Sequence, residues 1–94
     1  MEIKDLREKI DLVDKDIINS ISKRLELSKD VAKVKYQKNL PIRDNKREVE
    51  LIKDRTEKLK ESGIDDSIFA NNLFELIMEK SRQIQEKEIL KLKK

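Results

Sequence analysis

The sequence predicts an all-α chain of three helices, one long and N-terminal and two shorter, that pairs with a second copy into an intertwined helical homodimer. Residues 3 to 36 contain neither Gly nor Pro, and apolar residues recur there at helical spacing. The single Pro and the single Gly then fall between three such periodic stretches. With 94 residues, 46% of them charged, the chain is expected to be one small domain, residues 1–94, without repeat or linker.

In the first element Ile3, Leu6, Ile10, Val13 and Ile17 recur every third or fourth residue, as one seam of a helix requires. Asn39 and Pro41 stop it, because Pro has no amide to donate and pushes the residue before it out of the helical region. The second helix begins at "DNKRE", where Asn45 and Glu48 have the spacing of a capping box, and runs through Val49, Ile52 and Leu59. Gly63 ends it, with Ile64 just beyond to cover Leu59 as in a Schellman cap. The third starts between Asp65 and Ser67 and carries Phe69, Leu73, Leu76, Ile77 and Ile84 on one face.

Length bears on assembly. A helix of about 34 residues is roughly 50 Å long, whereas a compact chain of this size has a radius of gyration near about 12 Å. The first helix therefore overhangs its own domain, and half of it needs a second chain. The simplest arrangement is a symmetric dimer with the long helices antiparallel. On length alone, a solvent-exposed coiled-coil arm accounts for the overhang equally well.

Composition narrows the chemistry. Cys and His are both absent, which removes disulfides, thiol nucleophiles, imidazole acid–base catalysis and the usual zinc sites. Reactivity falls to Arg, Lys, Asp, Glu, Ser, Gln or Tyr36. The net charge of +3 comes from 23 basic and 20 acidic residues with the signs interleaved, and aromatics make up only 3%. That pattern favours solubility and intrahelical pairs over a nucleic-acid footprint. No apolar run approaches a membrane span, and the opening "MEIKDLREKI" lacks the apolar core of a signal peptide. A cytoplasmic protein without nucleic-acid or membrane partners is the expectation.

Polar residues stand where the stripes call for apolar ones. The first seam continues from Ile17 as Ile21, Arg24, Ser28, Val31 and Lys35, so Arg24 and Lys35 share the inward face. On the third helix the row Leu73, Ile77 continues as Ser81 and Gln85. An inward Arg and Lys without acids on their row point to an anionic ligand. The competing account has them snorkel to solvent or pair with carboxylates from another helix.

Over nearly its whole length the chain resembles the all-helical chorismate mutases of the AroQ class. The resemblance is carried by "LREKID", "KRLELSKDVAKVK", "PIRDNKRE" and "LFELIMEKSRQIQ", in that order and spacing. It implies a homodimer of three-helix chains with two active sites, each built mainly in one subunit and completed by the start of the partner's long helix. It further implies that Arg24 and the other subunit's Arg7 grip the substrate carboxylates, and that Lys35 and Gln85 contact the ether oxygen. Glu48 and the main chain at Asp44 would hold the substrate hydroxyl, Ser81 would assist at a carboxylate, and Arg47 lines the same region. Arg7 and Arg24 lie 17 residues apart, roughly 25 Å along one helix, too far to grip one small molecule from a single chain.

The implied reaction, chorismate to prephenate in phenylalanine and tyrosine biosynthesis, suits a chain without His or Cys. It is a unimolecular pericyclic rearrangement, so neither cofactor nor metal is expected. Two alternatives stand beside it: isochorismate pyruvate lyase, a pericyclic enzyme of the same fold, and a non-catalytic helical interaction module. Glu48 has two competing assignments, as a ligand contact and as the acid of a capping box.

Overall fold

A computed structural model describes residues 2–94. Three α-helices follow in order, α1 over Ile3–Lys38, α2 over Asn45–Glu61 and α3 over Ser67–Leu92, and there is no strand among the described residues. α1 is 36 residues long and α3 26. The molecule measures 56 × 27 × 15 Å with a radius of gyration of 16.7 Å, well above the value of about 12 Å for a compact chain of this length. The long dimension is that of α1 itself, at about 1.5 Å per residue.

The helices end where the sequence places the stops. Asn39 adopts the left-handed conformation at φ 56°, and the Leu40 amide donates to the Lys35 carbonyl at 2.8 Å. Gly63 takes φ 96° at the end of α2. Its amide donates to the Lys60 carbonyl at 3.0 Å and that of Ile64 to the Leu59 carbonyl at 2.8 Å, the paired bonds of a Schellman motif. At the start of α3, Asp66 caps the helix by accepting from the Phe69 amide at 2.9 Å.

The capping-box expectation at α2 is corrected. Asp44, one residue earlier than Asn45, is the N-cap, and its carboxylate accepts from the Arg47 amide at 3.0 Å. Both residue types cap helices well, but an N-cap at Asp44 puts Arg47, not Glu48, at the third helical position. Glu48 is thereby released from capping.

α3 is the central element. It packs against both α1 and α2, which do not pack against each other. It therefore needs two buried faces, and the single apolar stripe read from its sequence is corrected accordingly. Ala70, Met78, Ser81 and Gln85 are buried, whereas Phe69 and Leu76 are exposed. On α2 the contact face centres on buried Leu51, with Ile52 and Leu59 partly covered and Val49 outside it. On α1 only Ser28 and Ala32 are buried. Every residue from Glu2 to Lys23 is exposed in the single chain, including all five members of the first seam, at 41% to 62%.

Among the described residues no helix is long and apolar enough to cross a membrane.

The left-handed residue that ends α2 has open space around it, since a Cβ built on Gly63 meets nothing within 4 Å. Replacement by Ala is therefore penalised by backbone conformation alone, at about 1 kcal/mol. Gly63→Ala is expected to lower the urea midpoint with an unchanged denaturant slope. An unchanged midpoint would show that the turn readily takes another conformation.

Candidate active site

The gap between α1 and α2, floored by α3, forms a cleft of about 250 Å³. Its α1 wall carries Arg24, Ser28, Val31 and Lys35, and its α2 wall carries Arg47, Glu48 and Leu51. Met78, Ser81, Arg82 and Gln85 form the floor, and Ile42 and Asp44 close the end from the α1–α2 connection. Seven of the eight residues singled out in the sequence, Arg24, Lys35, Asp44, Arg47, Glu48, Ser81 and Gln85, thus surround one space. The eighth, Arg7, lies on the exposed N-terminal stretch of α1 and is not part of the cleft in this chain.

A directed chain of hydrogen bonds joins α1 to α3. Lys35 Nζ donates to Gln85 Oε1 at 3.0 Å, and Gln85 Nε2 donates to Ser81 Oγ at 3.1 Å. Ser81 and Ser28 share a bond of 2.7 Å between their hydroxyls, and Ser28 Oγ donates to the Arg24 carbonyl at 3.2 Å. A hydroxyl has one proton. With that of Ser28 directed to the carbonyl, Ser81 is the donor in the shared bond. The orientation of the Gln85 amide follows from Lys35, since an ammonium can face only its oxygen. Lys35 also donates to the Ile42 carbonyl.

The count of remaining donors is informative. An ammonium has three N–H groups and an amide nitrogen two. Lys35 spends two of its three on the protein and Gln85 one of its two. One N–H from each is left over, and both residues line the cleft.

Electrostatics favour an anion. Arg24, Lys35, Arg47 and Arg82 face only two carboxylates, Asp44 and Glu48, among the lining residues, a surplus of two positive charges. Glu48 is engaged by Arg82 at 2.8 Å and by Arg43 at 3.5 Å. Arg24 and Arg47 form no ion pair within 4 Å among the described residues.

The ionisation of the cations reflects this crowding. Burial holds the Arg24 guanidinium below its ordinary pKa, with repulsion from Arg55 and Arg47 adding to the effect. Burial also lowers the Lys35 pKa, and the neighbouring Asp44 and Glu48 carboxylates partly oppose the shift. A lysine whose folded pKa is depressed binds its proton less readily folded than unfolded. Its charge therefore weakens the fold at neutral pH, and the effect is relieved as the pH rises through the lowered value towards 10.5.

Two residues of the cleft escaped the sequence reading as functional candidates. Ser28 appeared there only as a member of the α1 row, and its partnership with Ser81 could not be seen without the crossing of α1 and α3. Arg82 follows Ser81 by one residue and so turns towards α2, a face that a single-stripe reading of α3 does not contain.

Fold and cleft together define an all-helical protein with a positively charged cleft lined by guanidinium, ammonium and amide donors. The family model for chorismate mutase type II matches residues 6–86. A chorismate mutase of Methanocaldococcus jannaschii is 38% identical over 85 residues, covering 89% of this chain and 84% of that protein. The T-protein of Haemophilus influenzae is 42% identical over 62 residues, 66% of this chain but 16% of its own length. A bifunctional chorismate mutase/prephenate dehydratase of Buchnera aphidicola subsp. Baizongia pistaciae is 38% identical over 85 residues, 90% of this chain and 23% of its own. No solved structure matches. The chain belongs to the type II chorismate mutase family.

A crowded, unpaired guanidinium is expected to serve a ligand more than the fold. Arg24→Met should leave stability in urea unchanged or raise it, by at most about 1 kcal/mol given the partial exposure of the group. A loss greater than that would make Arg24 a structural residue and weaken the case for an anion beside it.

Proposed function

We propose that this chain is a chorismate mutase, a single domain over residues 1–94 that converts chorismate to prephenate as a homodimer with composite active sites. The observation that carries the reading is the pair of remaining N–H groups on Lys35 and Gln85, set in a cleft with two surplus positive charges. Chorismate is a dianion whose ether oxygen gains negative charge as its bond to the ring breaks. The charge surplus complements the two carboxylates, and the paired donors complement the oxygen.

The rearrangement is unimolecular and pericyclic, so no proton is transferred and no covalent intermediate forms. The protein has two tasks. One is to hold a flexible dicarboxylate in the compact, chair-like reactive conformer. Guanidinium groups suit it because their planar forks match a carboxylate with two parallel bonds. Arg24 takes one carboxylate from within the chain, and Arg47 adds positive charge on the opposite wall. The other task is to stabilise the growing oxyanion with donors already in place. Lys35 and Gln85 fill that role, and donors of this kind contribute about 3 to 4 kcal/mol each.

Glu48 and the main chain at Asp44 hold the ring hydroxyl. Ser81 serves a carboxylate by turning its hydroxyl outward. Ser28 then releases the Arg24 carbonyl and donates to Ser81, so the hydrogen-bond chain reverses at the link between the two serines and gives up the one to the carbonyl.

The dimer supplies Arg7. The single chain exposes 7713 Å², whereas a compact monomer of this mass exposes about 5,700 Å². The excess, about 2,000 Å² per chain, is of the order buried by obligate dimers. It is concentrated on α1, where Ile3, Leu6, Ile10, Val13 and Ile17 form an apolar seam open to solvent. Antiparallel pairing along that seam returns the Arg7 of one chain towards the Arg24 of the other. The family match favours the mutase over the lyase and the interaction module, and loss of chorismate absorbance with isochorismate as the control substrate separates the first two.

Composite sites make a complementation experiment decisive. Arg7→Ala and Arg24→Ala chains should each be nearly inactive, yet a heterodimer of the two contains one site lacking both arginines and one intact site. Equal mixing with free exchange gives heterodimers as half of the population, so about a quarter of the parental activity should return. No recovery after exchange has been verified would count against a shared site.

The oxyanion assignment is tested through Gln85. An amide does not titrate, so its donor persists from acid to alkaline pH. In Gln85→Glu an ionised carboxylate would sit beside the developing oxyanion, and only its protonated form could donate. That variant should be poor at neutral pH and recover as the pH falls, while the parent stays flat until another site group, such as Lys35 or Glu48, changes charge. Equal kcat/KM for the two proteins at neutral pH would remove Gln85 from the mechanism.

A further inference from the structure

Glu48 stands on a wall between two depressions. On one side is the cleft, and on the other a groove between α2 and α3 that includes Val49, Ile52 and Glu75. An arginine reaches the carboxylate from each side. Arg82 lines the cleft and donates to Oε2 at 2.8 Å, with both side chains largely covered at 19% and 16% exposed. Arg43 lines the groove and approaches Oε1 at 3.5 Å from a side chain that is 59% exposed.

We propose that Arg82 is a positioning residue that keeps the Glu48 carboxylate on the cleft side of this wall, where it can accept the ring hydroxyl. The inference rests on the reading of Glu48 as the hydroxyl contact. Glu48 sits in the first turn of α2, no longer tied to a capping box, with three rotatable side-chain bonds and no other close anchor. The Arg82 bond is short, shielded from water and charge-assisted, the class of hydrogen bond that most restricts a side chain. The Arg43 contact is longer and solvated, the class of ion pair that contributes little. The two arginines pull the carboxylate in opposite directions, and the stronger contact is the one on the cleft side. Without Arg82 the carboxylate is left to Arg43 and the groove, and the hydroxyl loses its acceptor.

The test is a cycle of substitutions at Arg82 and Glu48, with Arg43 as the counterpart on the other side. Displacement of a positioned group by about an ångström reduces rate by about 100-fold, so Arg82→Met should lower kcat/KM for chorismate by about that factor. Arg82→Lys, which keeps the charge and one donor, should stay within about 10-fold of the parent. Arg43→Met should change kcat/KM by less than about threefold. When Glu48 is already replaced in Glu48→Gln, adding Arg82→Met or Arg82→Lys should lower activity by less than about threefold further, because there is no carboxylate left to position. Circular dichroism and sedimentation confirm that each variant is folded and assembled. If Arg82→Met does not fold, Arg82→Lys with and without Glu48→Gln carries the same comparison. Equal penalties for losing Arg82 with and without Glu48, or a loss for Arg43→Met as large as for Arg82→Met, would overturn the role of Arg82. Full activity of Glu48→Gln would instead overturn the reading of Glu48, and a parent chain inert towards chorismate would overturn the function itself.

Discussion

A helix of 36 residues in a chain of 94 cannot be covered by what the rest of the chain provides. α3, the element that packs on it, is 26 residues long and must also carry α2. The uncovered length is apolar on one seam, the surface that the proposed pairing with a second chain would bury. It also fixes where the functional groups stand. Arg24, Ser28 and Lys35 occupy the part of α1 that α3 reaches, and Arg7 occupies the part it does not. In the proposed dimer a shared site is a consequence of helix length, because a group some 25 Å from the cleft along one helix can join it only from another molecule.

The cleft depends on a second constraint, that α1 and α2 touch α3 but not each other. Lining residues of like charge face one another across the gap, and repulsion from Arg55 and Arg47 is felt at Arg24. Such an arrangement is unfavourable without a counter-charge, as expected where function and stability compete. The hydrogen-bond chain from Lys35 to the Arg24 carbonyl limits the damage. It satisfies the buried polar groups of α3, and no buried side-chain nitrogen or oxygen lacks a partner among the described residues.

Much of this was legible in the sequence because it depends on local rules. Helix ends followed from Asn39, Gly63 and the stretch from Asp65 to Ser67, whose conformational preferences hold whatever surrounds them. The row Arg24, Ser28, Lys35 and the row Ser81, Gln85 followed from helical periodicity. What escaped depends on how helices cross. Asp44 and Asn45 are adjacent and both cap well, so spacing alone could not choose between them. Phe69 and Leu76 read as core because one stripe per helix was assumed, whereas α3 serves two neighbours and buries Ala70 and Met78 in their place. Arg82 was hidden for the same reason, since its partner Glu48 lies 34 residues away on another helix.

The absence of contact between α1 and α2 also bears on how such a site changes over generations. The proposed oxyanion donors belong to the α1–α3 seam, while Arg47 and Glu48 belong to α2, which packs on α3 and not on α1. Substitutions on the α2 wall can accumulate without repacking α1. A lineage could therefore revise which small anion it accepts, one wall at a time, while inheriting the other wall and its donors unchanged.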